Sequence, residues 1–222
     1  MALILNIDTS TSLASLALGK NGETIGASSN ADQKDHASWL HIAIKELLLN
    51  NNVPVKALDA IAVTGGPGSY TGLRVSMSTA KGICYAANIP LIIHNTLEVM
   101  TNSVLQKFRH TLFCPMLDAR RMEVFTAVYD EQLNSQLNPT ALILDNESYH
   151  DQLNSNRIVF FGSGSEKFSK ICTHPNAVFA ESNFSAEDMV YASEQKYQQE
   201  KFADLAYSGP EYLKEFHDTS KN

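Results

Sequence analysis

The sequence predicts an α/β protein whose mixed sheets are flanked by helices, divided into two units. Three observations carry this expectation. Apolar runs of strand length alternate with longer segments of helical periodicity. The first half reads β-β-β-α-β-α-β-α, and a second set of strands begins near Arg109. At 222 residues the chain has room for more than one core.

The elements follow in order. Leu3 to Ile7 is a short apolar run that ends in the hydroxyl-rich turn Asp8-Thr9-Ser10-Thr11-Ser12, which reads as a central strand. Ala14, Leu16 and Leu18 alternate with smaller or polar residues, and Asn21-Gly22 is a strong hairpin signal that returns the chain through Glu23-Thr24-Ile25. From an N-cap at Asp35, His36 to Asn50 carries the core stripe Leu40, Ala43, Ile44, Leu47 and Leu48. Trp39 and Ile42 widen that stripe, as in a helix that touches two surfaces. His36 and His41 are five apart and do not share a helical face as metal ligands would.

Ala60 to Val63 reads as a buried strand, and Tyr70 to Asn88 as a helix with small residues at Gly72, Ser76, Thr79, Gly82 and Ala86. Leu91 to His94 is the next strand, and Asn95 to Met100 opens another amphipathic helix. In the second unit, Leu112 to Leu117 and Glu123 to Tyr129 are strands joined by the polar turn from Asp118 to Met122. Ala141 to Leu144 and Ile158 to Phe161 are two more, with a short helix between them. Gly162-Ser163-Gly164-Ser165 caps a helix through Ile171. Ser185-Ala186-Glu187-Asp188 opens a long helix to about Phe202, and after Pro210-Glu211-Tyr212-Leu213 the polar tail is expected to fray.

Between the strand at Val63 and the helix at Tyr70 stands Gly65-Gly66-Pro67-Gly68-Ser69-Tyr70-Thr71-Gly72-Leu73-Arg74. Strand, glycine loop and helix in that order can cradle a phosphate on the free amides of the helix start. The P-loop pattern fails, however, because Gly72 is followed by Leu73-Arg74 rather than Lys and Ser or Thr. A dinucleotide fingerprint fails at Thr71, where the third glycine belongs. The plainer expectation is a sharp turn that packs a helix against the sheet.

Composition narrows the function. Apolar residues make up 44% and charged residues 18%, as in an ordinary globular protein. Lys and Arg total 17 against 24 acidic residues, and the net charge of -7 has the wrong sign for gripping a phosphate backbone unaided. A local patch near Lys107, Arg109, Arg120 and Arg121 remains available for a contribution within a complex. Cys84, Cys114 and Cys172 are odd in number and widely spaced, so they are expected reduced and buried. The start lacks a basic n-region and no run reaches membrane-spanning length, so a cytoplasmic protein without a membrane partner is expected.

Four motifs carry a resemblance that spans essentially the whole chain: Ile7-Asp8-Thr9-Ser10, the loop from Gly66 to Arg74, Asp118-Ala119-Arg120, and Pro210-Glu211-Tyr212-Leu213. Together they closely resemble the TsaB (YeaZ) family, the partner subunit of the bacterial tRNA threonylcarbamoyladenosine synthase. The resemblance implies a two-lobed actin/hexokinase/acetate-kinase-like (ASKHA) fold, each lobe a mixed sheet flanked by helices. The N-terminal lobe is expected over 1–104, with 203–222 packing back on it, and the C-terminal lobe over 105–202.

The resemblance further implies a non-catalytic subunit that binds and activates the paralogous transferase TsaD, joined by the ATPase TsaE. It implies a homodimer when TsaD is absent, and contact with tRNA only through the complex. Where TsaD carries two metal-holding histidines, this chain has Thr96 and Met100, poor ligands for a hard or borderline cation. No catalytic residue, metal or cofactor is expected. The residues that would hold a nucleotide if one bound are Asp8, Thr9, Gly162 and Gly164. The family implies that the helices after His36 and Gly68 bundle with the partner, giving Trp39, Leu40, Ala43, Tyr70, Leu73, Arg74, Met77 and Ala80 as interface candidates. Two alternatives stay open. One is a small ASKHA-type kinase or carbamoyl transferase acting on its own through Asp8 and the Gly162-Ser163-Gly164 turn. The other is a metallopeptidase-like protein, for which no nucleophile-base signature is present.

Overall fold

The computed structural model describes residues 2–32 and 36–214. The N-cap expected at Asp35 and the terminal residues of the tail lie outside the described residues. The described residues fall into two compact units, one of 2–103 with 183–210 and one of 104–182 with 211–214.

In the first unit, strands β1 (Leu3–Asp8), β2 (Ala14–Lys20) and β3 (Glu23–Asn30) form an antiparallel meander. Helix α1 (His36–Asn50) then leads to β4 (Ala60–Gly66), helix α2 (Tyr70–Ala87), β5 (Leu91–Asn95) and helix α3 (Thr96–Asn102). The sheet order is β3-β2-β1-β4-β5, with β4 parallel to both β1 and β5. β1, β2 and β4 are buried along almost their whole length, which is why they read as near-continuous apolar runs. Leu40, Ala43, Ile44, Leu47 and Leu48 of α1 meet Met77, Ala80 and Cys84 of α2 in one core over Leu5, Ile7, Ile61 and Val63. Asn88 ends α2 in the left-handed conformation, and Ile89 N–H donates to Cys84 O, a Schellman closure.

The second unit repeats this topology. Strands β6 (Leu112–Asp118), β7 (Glu123–Tyr129), β8 (Ser135–Ile143), β9 (Ile158–Phe161) and β10 (Ala177–Ala180) form a sheet in the order β10-β9-β6-β7-β8. Helix α4 (His150–Ser155) precedes β9, and helix α5 (Ser165–Ser169) follows it. Phe160 packs edge-on against Phe168 and Tyr149, with ring centroids 4.9 and 5.3 Å apart, and Tyr149 Oη donates to Thr126 Oγ1 at 3.0 Å. Cys84 and Cys114 are buried, and burial pushes their thiols up to about 11 and about 12. Cys172 is only half-buried, contrary to expectation, because it lies beyond the end of α5.

The larger departure from the expected boundaries is the segment 183–202. It packs on the first unit, although the expected C-terminal lobe ran from 105 to 202. A 3-10 turn (Ala186–Met189) with a capping box at Ser185 and Asp188 leads into helix α6 (Val190–Gln198). The helix ends four residues before Phe202, because Glu200 turns left-handed and Lys201 N–H closes on Lys196 O. Polar groups tie α6 down. Ser193 Oγ donates to Asn6 Oδ1 at 2.6 Å, Ala2 N–H donates to Glu194 Oε2 at 3.1 Å, and Ala186 N–H donates to Ser15 Oγ at 2.9 Å. Ala203 then bridges to Leu91, and Lys81 Nζ donates to the carbonyls of Ala206 and Ser208.

Candidate functional site

The glycine loop is filled by the chain itself. Ser69 N–H donates to Ser10 O at 2.7 Å, and Thr9 Oγ1 donates to Gly72 O at 2.7 Å. A Cβ on Gly68 would stand 2.4 Å from Ser10 O, and one on Gly72 would stand 1.9 Å from Thr9 O. Both distances are far inside van der Waals contact, so glycine is required where the β1–β2 turn presses on the start of α2. Ser69 caps the helix by accepting from Gly72 N–H at 3.2 Å. The peptide bond between Gly66 and Pro67 is cis.

The nucleotide candidates are taken up in the same way. Asp8 is fully buried, and its Oδ1 accepts from Ser10 N–H, Ser10 Oγ and Thr64 Oγ1 at 3.1, 2.6 and 2.6 Å. Thr9 is buried beside it. In the second unit Gly164 N–H donates to Met116 O, and a Cβ at Gly164 would come within 2.7 Å of Val124. Gly162 takes φ +95° to start that turn, and Ser165 N–H donates back to its carbonyl. Each glycine therefore serves packing or chain reversal. Thr96 and Met100 are buried in the first unit.

Five of the eight interface candidates are core. Leu40, Ala43, Leu73, Met77 and Ala80 are buried within the chain, so no partner reaches them. Their apolar periodicity marks a face of each helix, and in this fold that face meets the sheet. Trp39 and Tyr70 are half-buried and Arg74 is exposed, its guanidinium carbon 3.9 Å from the centroid of the Tyr70 ring.

The opposite faces of α1 and α2 form the accessible surface. On α1, Ile42 and Leu49 are 58% and 63% exposed and lie seven residues apart on one side. On α2 the outward stripe is Thr71, Arg74, Ser78, Gly82 and Tyr85, with Tyr85 84% exposed and nothing within 4 Å of a Cβ placed on Gly82. A groove of about 520 Å³ runs between the two helices, lined by Ala37 and His41 on one side and Tyr70, Arg74, Val75 and Ser78 on the other. Small residues flanked by exposed apolar ones suit the close approach of another helix. The sequence pattern marks Ile42 as widening the α1 stripe and Gly82 as one of the small residues of α2, although neither stood among the interface candidates, and Leu49 and Tyr85 went unnoticed. Leu49 lies seven residues after Ile42, so the same apolar surplus on α1 could have found it.

The basic residues do not form one patch. Lys107 and Arg109 precede β6 while Arg120 and Arg121 follow it, and a strand of seven residues separates them by about 20 Å.

The family model of TsaD, tRNA N6-adenosine threonylcarbamoyltransferase, matches residues 26–219. The tRNA threonylcarbamoyladenosine biosynthesis protein TsaB of Escherichia coli (strain K12) is 27% identical over 218 residues, covering 95% of this chain and 94% of that protein. The solved structure of YeaZ from Pseudomonas aeruginosa superposes with a TM-score of 0.81 at 24% identity, over 96% of this chain and all of that one. The activator of 2-hydroxyisocaproyl-CoA dehydratase from Clostridium difficile reaches 0.50 at 10% identity, over 89% of this chain and 97% of that one, a likeness of fold alone.

Two mixed five-stranded sheets of one topology, each flanked by helices, define a two-lobed α/β protein of the ASKHA class. The chain belongs to the family that the TsaD model describes, and within it to the TsaB (YeaZ) family.

Proposed function

We propose that this chain is a non-catalytic subunit in tRNA threonylcarbamoyladenosine biosynthesis, and that it binds a TsaD-type transferase through the outer faces of α1 and α2. The observation that carries the reading is the pairing of two exposed apolar side chains on α1, Ile42 and Leu49, with an outward face of α2 that is open at Gly82 and carries the exposed Tyr85. The family supplies the pathway. A TsaE-type ATPase joins the pair, and in the absence of the transferase a second copy of this chain occupies the same face.

Two features support a subunit without chemistry of its own. The β1–β2 turn occupies the glycine loop, and Asp8 is engaged by the hydroxyls of Ser10 and Thr64. Thr96 and Met100 stand where the resemblance places metal-holding histidines in the paralogue, and neither side chain suits a hard cation. The test is reconstitution of threonylcarbamoyl transfer to unmodified tRNA. Product is expected only when this chain and the transferase are both present, and magnesium-ATP titrated into this chain alone is expected to show no binding tighter than about 10 μM. Turnover by this chain alone, or tight nucleotide binding, would overturn the reading in favour of a small kinase or carbamoyl transferase.

A further inference from the structure

The turn between β6 and β7 holds two adjacent arginines in the left-handed region, Arg120 at φ +70° and Arg121 at φ +49°. Residues other than glycine persist there when their surroundings over-determine them, and such strain gathers at sites of function. The surroundings here are specific. Lys167 Nζ, in a side chain only 14% exposed, donates to the carbonyls of Arg121 and Glu123, both at 2.8 Å, and stands 3.2 Å from Asp118 Oδ1. Arg120 N–H donates to Asp118 Oδ1, Ala119 N–H to Glu123 O and Glu123 N–H to Arg120 O. A largely buried lysine is thus spent on fixing the backbone of a surface turn.

The charges around the turn are arranged to one end. The two carboxylates beside it are each matched by a lysine, Asp118 by Lys167 and Glu123 by Lys214 at 2.7 Å. Asp145, beyond Leu144 whose N–H meets Met122 O, turns its carboxylate onto Glu147 N–H and Ser148 Oγ. Among the described residues, no side-chain hydrogen bond or ion pair engages Arg120 or Arg121, and both are exposed. The backbone that carries two exposed arginines is thus fixed, while their guanidinium groups stay open to a partner, on a chain whose net charge is -7. Planar guanidinium forks match phosphate oxygens in pairs, and phosphate contacts make up half or more of a protein's hydrogen bonds to nucleic acid.

We propose that the Arg120-Arg121 turn contacts the phosphate backbone of RNA, so that this subunit touches the tRNA directly within the complex. The inference rests on the reading under Proposed function for the identity of the RNA. The test uses the complex of this chain with its TsaD-type partner and a transcribed, unmodified tRNA, followed by fluorescence anisotropy between 50 and 200 mM salt. The variant Arg120→Asn with Arg121→Gly places at both positions residues that accept left-handed φ, so it is expected to melt no lower than the parent. It should still bind the partner, weaken tRNA binding, and reduce the log-log salt slope by roughly 1.4–1.8, or 0.7–0.9 for each phosphate no longer neutralised. Arg120→Lys with Arg121→Lys, which keeps both charges, should retain most of the salt slope.

Unchanged tRNA affinity and slope in the Asn-Gly variant would overturn the inference and leave the proposed function standing. Loss of partner binding with tRNA binding intact would also overturn it, by assigning the turn to an acidic protein face. Failure of the parent chain to bind the partner at all would instead overturn the proposed function. The inference, which places the contact within that complex, would then fall with it.

Discussion

Gly72 shows how one residue decides between two readings of a motif. The Thr9 carbonyl lies where its side chain would begin, at 1.9 Å from the ideal Cβ, and the obstructing atom is backbone. Gly72→Ala must therefore move the β1–β2 turn or the start of α2, and a loss of about 2–3 kcal/mol is expected in urea unfolding. A loss below about 0.5 kcal/mol would mean that the turn does not press on the helix. The loop was legible in the sequence as strand, glycines and helix. Its purpose was not, because glycine serves close packing and phosphate approach equally, and only the position of Ser10 and Thr9 distinguishes them. Met77 teaches the same lesson for the interface. It is 3% exposed, so a charged substitution there would unfold the first unit and report nothing about a partner.

At the scale of elements, α6 is fastened by a buried polar relay. Ser193 gives its only hydroxyl proton to Asn6, whose own amide donates to the carbonyls of Ile4 and Ala17, so His94 Nε2 at 2.9 Å must donate to Ser193. Burial first, and the charge of Lys196 second, lower the His94 imidazole to about 3. The folded state thus refuses a proton that the unfolded chain accepts near pH 6.5. Stability contributed by neutral His94 is fully present above that value and is lost as pH falls towards 3, reaching about 2 kcal/mol of loss at pH 5. In His94→Gln that dependence should vanish, so the stability difference between parent and variant should shrink on going from pH 7 to pH 5. A difference constant across that range would contradict the assignment.

The elements themselves were unevenly visible from sequence. β1, β2, β4, β6, β7 and β9 are buried on both faces or nearly so, and their apolar runs announced them. β10 and the first part of β8 were missed because they are edge strands of half-buried residues, and β8 carries Pro139. The return of 183–202 to the first unit could not be read from periodicity. It is held by Ser193, Glu194 and Ser15, polar residues whose partners are set by tertiary structure.

For the whole molecule, the proposed function rests on a surface rather than a pocket. The core faces of α1 and α2 were legible as stripes, but a stripe does not say what covers it. Ile42 stood out in the sequence as an apolar residue beyond the stripe, whereas the exposure of Leu49 and Tyr85 became apparent only once the sheet had claimed the other side. Gly82 allows the surface to be tested apart from the fold. Its position is open, and lysine is the better helix former, so Gly82→Lys is expected to stabilise the isolated chain by about 0.5–1 kcal/mol in thermal unfolding. A destabilised variant would show that Gly82 has an internal role.

The most direct test of the account is light scattering after size-exclusion chromatography of this chain mixed with a TsaD-type transferase, for the parent, Gly82→Lys and Ile42→Asp. The parent is expected to shift from a homodimer to a heterocomplex. Both variants are expected to run as folded monomers that ignore the partner. Variants that still co-elute with the transferase as the parent does would place the interface elsewhere and contradict the account.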